Sequence, residues 1–243
     1  VLDSLGLGSP THPLPAGRYA AWASTYLWEH CYGYDYLYAG PLFTHQLSHI
    51  WIDFRGIQDA FMRAKGIDYF ENSRRATYVQ REYAIDNPLA FAHYCGCCWG
   101  LTASEGPGPD IINVAGIERQ FFDYVGRGVP HGPDDGTLAP WAVAASLPVV
   151  PEFGLRTLQH FQDVYPQSTG EYCFRCSFNL SFSGEDKRDG TAGWTSPYHF
   201  GINLGPVVLM CENYRSDLLW RLMRGCPYVI AGLRRAGFRN GWL

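Results

Sequence analysis

Blocks of helical periodicity recur along this chain, and between them runs a stretch, residues 95–136, that holds 9 Gly and 4 Pro. No continuous helix crosses so many breakers, so the chain must fold as helices joined by at least one long excursion. A connection of that length inside a compact domain is usually a binding or active-site loop. It carries Trp99, Thr102, Ser104 and Glu105 ahead of the turn Gly106-Pro107-Gly108-Pro109, and Ile111 to Val125 suits a small hairpin about Ala115-Gly116. A solvated loop carboxylate is the plainer reading of Glu105.

The helical blocks follow from spacing. After the turn Ser9 to Pro15, Gly17 to His30 predicts a short helix, and Tyr32 to Pro41, with tyrosine at every second position up to Tyr38, suits extended chain. Thr44 to Lys65 predicts a helix whose apolar arc is Leu47, Ile50, Phe54, Ile57 and Phe61. His45, His49 and Asp53 share another face of it at i, i+4 and i+8, beside the small Gly56 and Ala60, which leaves room for a ligand next to polar groups. Ordinary surface histidines are the alternative; the H-x-x-x-H pair lacks a third metal ligand at a recognisable spacing. Asp68 to Asp86 predicts a helix with Asp68 as N-cap and Glu71 three positions on. Ala139 to Ser146 and Pro151 to Val164 predict antiparallel helices, Tyr172 to Phe182 an edge strand, and Pro227 to Ala236 a last helix.

From Gly201 to Arg224 the period is again helical, with Pro206 expected at the first helical position. Asn213, Asp217, Arg221 and Arg224 then form the solvated face, while Glu212 and Arg215 fall among the inward residues Val208, Cys211, Leu218, Leu219 and Leu222. Inward charges need each other or a polar cavity. Either they are a structural ion pair three residues apart, or they face a substrate.

Composition narrows the chemistry. The 19 Lys+Arg and 23 Asp+Glu give a net charge of −4 and are scattered, which disfavours nucleic acid and anionic membranes as partners. No run of about 18 apolar residues predicts a membrane span. The 8 Cys include Cys95-x-Cys97-Cys98 and Cys173-x-x-Cys176, but the spacing is not a regular pair of pairs, and no metal site is assigned. No serine elbow, phosphate loop or dinucleotide fingerprint occurs. What remains is acidic and aromatic: Asp53, Glu105 and Glu212 with Trp51, Trp99, Trp194, Tyr198 and Tyr214. Carboxylates and shape suffice for glycoside hydrolysis, in which one acid protonates the leaving oxygen and a second carboxylate activates water or attacks the sugar. Helical hairpins with long loops at one end make the fold class all-α.

Ser9-Pro-Thr-His-Pro-Leu-Pro15, Gly40-Pro-Leu-Phe-Thr-His-Gln-Leu-Ser-His-Ile-Trp-Ile-Asp-Phe-Arg-Gly56, Trp99-Gly-Leu-Thr-Ala-Ser-Glu-Gly-Pro107 and Tyr198 to Arg215 together resemble the bacterial glycoamylase-like domain family, which includes β-1,2-glucanases. The resemblance covers almost the whole chain. It implies a single domain over residues 1–243, an (α/α) toroid of six helical hairpins incomplete at its N-terminus, with a glucan cleft across one end. The start at Val1, with Val1 to Leu7 reading as the end of a helix, fits a chain cut within a larger fold. The implied activity is hydrolysis of a β-glucan, most plausibly β-1,2-linked. Catalytic roles fall on Glu212, Glu105 and Asp53, and sugar contacts on His45, His49, Trp51, Arg55, Trp99, Thr102, Tyr198, Asn203, Tyr214 and Arg215. The alternatives are a glycan-binding protein without turnover and a transglycosylase. No cofactor is implied, the partner is an oligo- or polysaccharide, and the resemblance implies a periplasmic or secreted location; oligomeric state is left open. Three departures stand out: Gly96 where members carry a carboxylate, Leu204 in place of Gln, and Glu105 in place of Asp.

Overall fold

The structure, a computed structural model, describes residues 2–182 and 193–243. Its first helix, α1 (Leu2–Gly8), is followed by α2 (Gly17–Ala23) and the hairpin β1 (Trp28–Cys31) and β2 (Tyr34–Leu37). The helix expected over 17–30 therefore stops early, because Trp28 to Cys31 pairs with the tyrosine strip. After a 3-10 turn at Leu42–His45 the chain is mostly irregular until α3 (Ala60–Lys65), so the long helix expected over 44–65 is not formed. Residues 42–52 keep helix-like turns, the Leu47 and Ile52 amides donating four residues back to Phe43 and Ser48, and Gly56 takes a left-handed φ of 74° that ends any helix. His49, Ile50, Ile52, Asp53 and Phe54 are all buried, so neither a single helical stripe nor an alternating strand describes the segment.

α4 (Tyr69–Asp86) is as expected. The Asp68 side chain accepts the Glu71 amide at 2.7 Å, and Asn87 closes the helix in the left-handed region. The long excursion holds β3 (Ala103–Ser104), the hairpin β4 (Asp110–Val114) and β5 (Ile117–Phe121), β6 (Val125–Gly126) and β7 (Thr137–Leu138). The hairpin turns at Ala115-Gly116, both at positive φ, as a tight two-residue loop requires. Next come α5 (Pro140–Ala145) and α6 (Pro151–Val164), then β8 (Thr169–Gly170), β9 (Cys173–Phe174), β10 (Phe178–Asn179) and β11 (Trp194–Thr195). β10 sits between β7 and β11, so the segment expected as an edge strand supplies a central one. The all-α expectation is accordingly amended. The described residues are mainly helical, with five small antiparallel sheets.

α7 (Gly201–Ser216), α8 (Leu218–Arg224) and α9 (Pro227–Arg235) complete the chain. Pro206 lies inside α7 rather than at its first position. The periodicity over 201–224 is broken at Asp217, whose φ of 59° starts α8 on a new phase. Asn213 makes that break possible. Its Oδ1 accepts the Leu219 and Trp220 amides at 3.1 and 3.2 Å, and its Nδ2 donates to the Ile50 carbonyl at 2.9 Å. The face expected to be solvated is thus the buried one at Asn213, whereas Val208 and Leu222 are 64% and 60% exposed.

The main core gathers Trp99, Leu101, Leu138, Trp141, Phe153, Phe161, Phe178 and Met210. A second one joins Ile52, Phe54 and Ile57 to Val229, Leu233 and Phe238. α1 lies against α9 at backbone distance: a Cβ on Gly8 would fall 1.9 Å from the Tyr228 carbonyl oxygen, and one on Gly232 1.7 Å from that of Ser4. Only glycine permits this crossing.

One ion pair organises the excursion. Arg127 and Asp135 are wholly buried and joined through both carboxylate oxygens, at 2.6 and 2.7 Å. The guanidinium also donates to the carbonyls of Ser104, Phe122 and Asp123, while Asp135 accepts the amides of Phe122 and Thr137. Removing one partner leaves the other charge buried and uncompensated. Arg127→Met is therefore expected to cost about 3–5 kcal/mol of unfolding free energy, read from urea denaturation; a loss under about 1 kcal/mol would contradict this account of the loop.

Candidate active site

Glu105 leaves β3 just beyond the Arg127 anchor. Its neighbour Gly106 has no room for a side chain, since a Cβ there would lie 2.1 Å from Arg127 Nη2. The backbone is fixed on one side by this contact and on the other by Ser177, whose hydroxyl donates to the Glu105 carbonyl at 2.5 Å. The carboxylate itself is half-buried and accepts the Ser196 hydroxyl at 2.5 Å. Ser196 is oriented for this donation, because its oxygen is approached by the Tyr198 amide at 3.3 Å and its own amide donates to the Ser177 carbonyl at 2.9 Å. Ser177 and Ser196, which the sequence reading did not single out, thus fix this acid; isolated serines give no periodic or motif signal.

The same strands reach α7. Asn203, 4% exposed, donates to the Cys176 sulfur at 2.9 Å, and Cys176 precedes Ser177. Tyr198 and Phe200 stand beside one another, ring centres 5.8 Å apart, and Tyr198 is 55% exposed. These hydrogen bonds tie Glu105 to the start of α7: a half-buried carboxylate and an open aromatic ring at Tyr198, with Asn203 buried beneath and holding Cys176.

Glu212 does not join them. It lies nine residues after Asn203 on α7, about 13 Å further along the axis and half a turn round, so it faces away from the buried side. There it accepts the Ser216 hydroxyl at 2.5 Å and pairs with Arg215 at 3.0 Å; the Ser216 bond chiefly holds its carboxyl below the ordinary glutamate value. The expectation that Glu212 and Arg215 point inward is corrected by the break at Asp217, and Arg215 and Tyr214 are exposed. Asp53 is buried and bound by Arg55 at 2.7 and 2.9 Å and by Arg224, while Asp217 receives the same two guanidiniums. Arg55 also lies 4.3 Å over the Trp220 ring. This four-charge cluster ties the 50s segment to α8, and both Asp53 oxygens are taken up by guanidiniums.

Trp99 and Thr102 are fully buried. The Trp99 indole donates to Thr157 at 2.8 Å and its ring packs on Phe153; the Thr102 hydroxyl accepts the Phe43 amide at 3.1 Å. Both are core residues rather than sugar platforms. Trp51 is 38% exposed. His45 and His49 are buried, contrary to a surface placement, and line a cavity of about 560 Å³ with Trp22, Tyr26, Tyr38 and Asn72. His45 Nε2 donates to the Ala39 carbonyl at 2.9 Å. Ser73 gives its hydroxyl proton to a carbonyl, that of His45 at 2.8 Å or of Tyr69 at 3.0 Å, so His49 Nε2 donates to Ser73 at 2.8 Å. Burial brings the His45 pKa down to about 4; burial and then the neighbouring His45 bring that of His49 to about 3. Among the described residues no group of three or more His, Cys, Asp or Glu converges as a metal site.

Comparison with known proteins places this geometry. Residues 1–227 match the family model "Putative glucoamylase". An exo-β-1,2-glucooligosaccharide sophorohydrolase (non-reducing end) of Parabacteroides distasonis is 32% identical over 197 residues, 81% of this chain and 23% of that protein. An endo-β-1,2-glucanase from Chitinophaga pinensis, solved with sophorotriose and glucose, superposes with a TM-score of 0.83 at 29% identity, over 100% of this chain and 54% of that one. A putative glucoamylase from Bacteroides uniformis gives 0.83 at 31%, over the same shares. The chain thus spans less than two thirds of the length of each.

The histidines make a testable statement about pH. The unfolded chain takes up protons near the ordinary value of 6.5, whereas the folded one refuses them until about 4 and about 3. The unfolded state binds more protons in that window, so stability falls as pH drops below about 6.5, by on the order of 1 kcal/mol per unit for each histidine. Urea midpoints between pH 7 and 5 measure this, and His49→Gln flattens the slope; an unchanged slope in that variant would remove His49 from the account.

Proposed function

This chain belongs to the glycoamylase-like family, and from that premise we propose that it is the loop-bearing part of a glycoside hydrolase that cleaves β-1,2-linked glucan by carboxylate acid–base chemistry. The observation that carries the reading is Glu105, a half-buried carboxylate just after β3 whose position is fixed by Arg127, Ser177 and Ser196 and which is linked to Tyr198 through Ser196 and to Asn203 through Cys176 and Ser177. The similar proteins, a sophorohydrolase and an endo-β-1,2-glucanase, support the substrate class. The proposal extends to the architecture: residues 1–243 form one domain, with its helices part of an (α/α) toroid and the β3 to β11 loops at the cleft end.

In this reading Glu105 transfers the proton to or from the glycosidic oxygen or the attacking water, a role that needs a carboxyl within hydrogen-bond reach of the reacting atom. Ser196 orients it through the 2.5 Å hydrogen bond. Tyr198 offers an aromatic face to the apolar side of a glucose ring, and the cavity lined by His45 and His49 provides further room for hydroxyl-bearing units. Asp53 is assigned to the charge cluster that joins the 50s segment to α8, and Glu212 to a surface pair on α7.

A glycan-binding protein without turnover is the second reading. It is favoured by Gly96, where the family resemblance leads to the expectation of a carboxylate; here Arg81 fills the space and donates to the Gly96 carbonyl at 3.2 Å. Incubation of the protein with linear β-1,2-glucan, with reducing ends counted, separates the two. Release of short oligosaccharides is expected, with a loss of at least about 100-fold in Glu105→Gln and of less than about 10-fold in Glu212→Gln. Saturable glucan binding without new reducing ends would establish the second reading, and full activity in Glu105→Gln would move the acid elsewhere.

A further inference from the structure

The turn Cys95-Gly96-Cys97-Cys98 is used by none of the chemistry above. Cys95 and Cys98 face each other across it as an antiparallel bridge, each amide donating to the other's carbonyl, at 3.3 and 2.9 Å. Residues opposed in this way have Cα atoms about 5.5 Å apart and side chains on the same side, inside the roughly 4.4–6.8 Å range of disulfides. Cys97 sits at the tip of the turn with Gly96, outside the opposed pair, and has no residue across from it. All three carry free thiols; Cys98 is wholly buried, while Cys95 and Cys97 are half-buried. The turn is held rigidly in register by Arg81, which donates to the Gly96 carbonyl, and by Trp99, locked in the core one residue later.

We propose that Cys95 and Cys98 are a thiol–disulfide exchange site that closes into an intramolecular disulfide on meeting a small oxidised disulfide such as oxidised glutathione. The Cys95 thiolate, the more accessible of the two, attacks a glutathione sulfur; the S–S bond breaks and one glutathione leaves as thiolate. The Cys98 thiolate then attacks Sγ of Cys95 and expels the second glutathione. Two cysteine thiols are oxidised, one external disulfide is reduced to two thiols, and the two cysteine protons pass to the departing thiolates or to solvent. The closed ring fixes Cys98 and so the start of the segment that runs through Leu101 to Glu105. Burial and the adjacent thiols push the Cys98 thiol above its ordinary value, so ring closure is the slower step and quickens with rising pH.

The test is peptide mass mapping of the whole protein after exposure to oxidised glutathione and alkylation without reduction. Residues 82–119 form one tryptic fragment containing Cys95, Cys97 and Cys98 and no other cysteine. The expected product carries one alkyl group and one disulfide, two hydrogens lighter than the reduced fragment bearing a single alkyl group. Cys97→Ser keeps the cross-link, whereas Cys95→Ser loses it and accumulates no internal disulfide. A fragment that stays fully alkylated, that carries glutathione without closing, or that loses its cross-link in Cys97→Ser overturns the proposal. Because the readout is mass, it does not depend on turnover of any glucan.

Discussion

Everything around Glu105 rests on the Arg127–Asp135 pair. A stretch with 9 Gly and 4 Pro has little backbone preference of its own, and its conformational freedom must be removed by something other than propensity. A guanidinium offers five donors in a planar fork, and here they are spent on one carboxylate and three carbonyls that lie on different turns of the loop. The pair is expensive to desolvate, so its value lies in specificity: few other arrangements of this segment would leave both charges satisfied. Asn179 extends the anchor to the three-stranded sheet by donating to the Asp135 carbonyl at 2.8 Å, and that sheet leads into Ser196 and Tyr198. The position of the candidate acid is therefore inherited from a buried ion pair two strands away.

A second charge cluster does similar work elsewhere. Asp53, Arg55, Asp217 and Arg224 join the irregular 50s segment to the start of α8, and Trp220 closes over Arg55. Together with Asn213 they explain why the last third of the chain turns sharply at Asp217 rather than continuing as one helix. Polar groups make the turns in this protein, while apolar burial sets which side of each element faces in.

How far this was legible in the sequence depends on whether the deciding signal was local. α4 was readable because Asp68, the apolar period and Asn87 all act within a few residues, and the hairpin because Ala115-Gly116 is its own instruction. The helices of 139–164 and the last helix were readable for the same reason. The 44–65 segment was not, since its helical spacing continues past the point where the turns stop, and the packing of Ile52, Phe54 and Ile57 against α9 is a long-range contact that local spacing does not announce. The phase of α7 was lost at Asp217, where a left-handed residue cannot be inferred from an aspartate. That single break turned Glu212 from an inward candidate into a member of an outer ion pair. At the site, Glu105, Tyr198 and Asn203 were identified as candidates and are tied together by hydrogen bonds, whereas Ser177 and Ser196 had no pattern to announce them. Trp99 and Thr102 were picked by residue type, and residue type alone does not distinguish a sugar platform from a core tryptophan.

The crossing of α1 on α9 has a consequence for how the molecule breathes. Because Gly8 and Gly232 bring the two backbones into direct contact, neither helix has a side-chain cushion that lets it loosen alone. The amides of the two helices, more than two hundred positions apart in sequence, should therefore become accessible to solvent as one cooperative unit, as foldons do. Local opening, commonly a property of each helix separately, is here a single shared event.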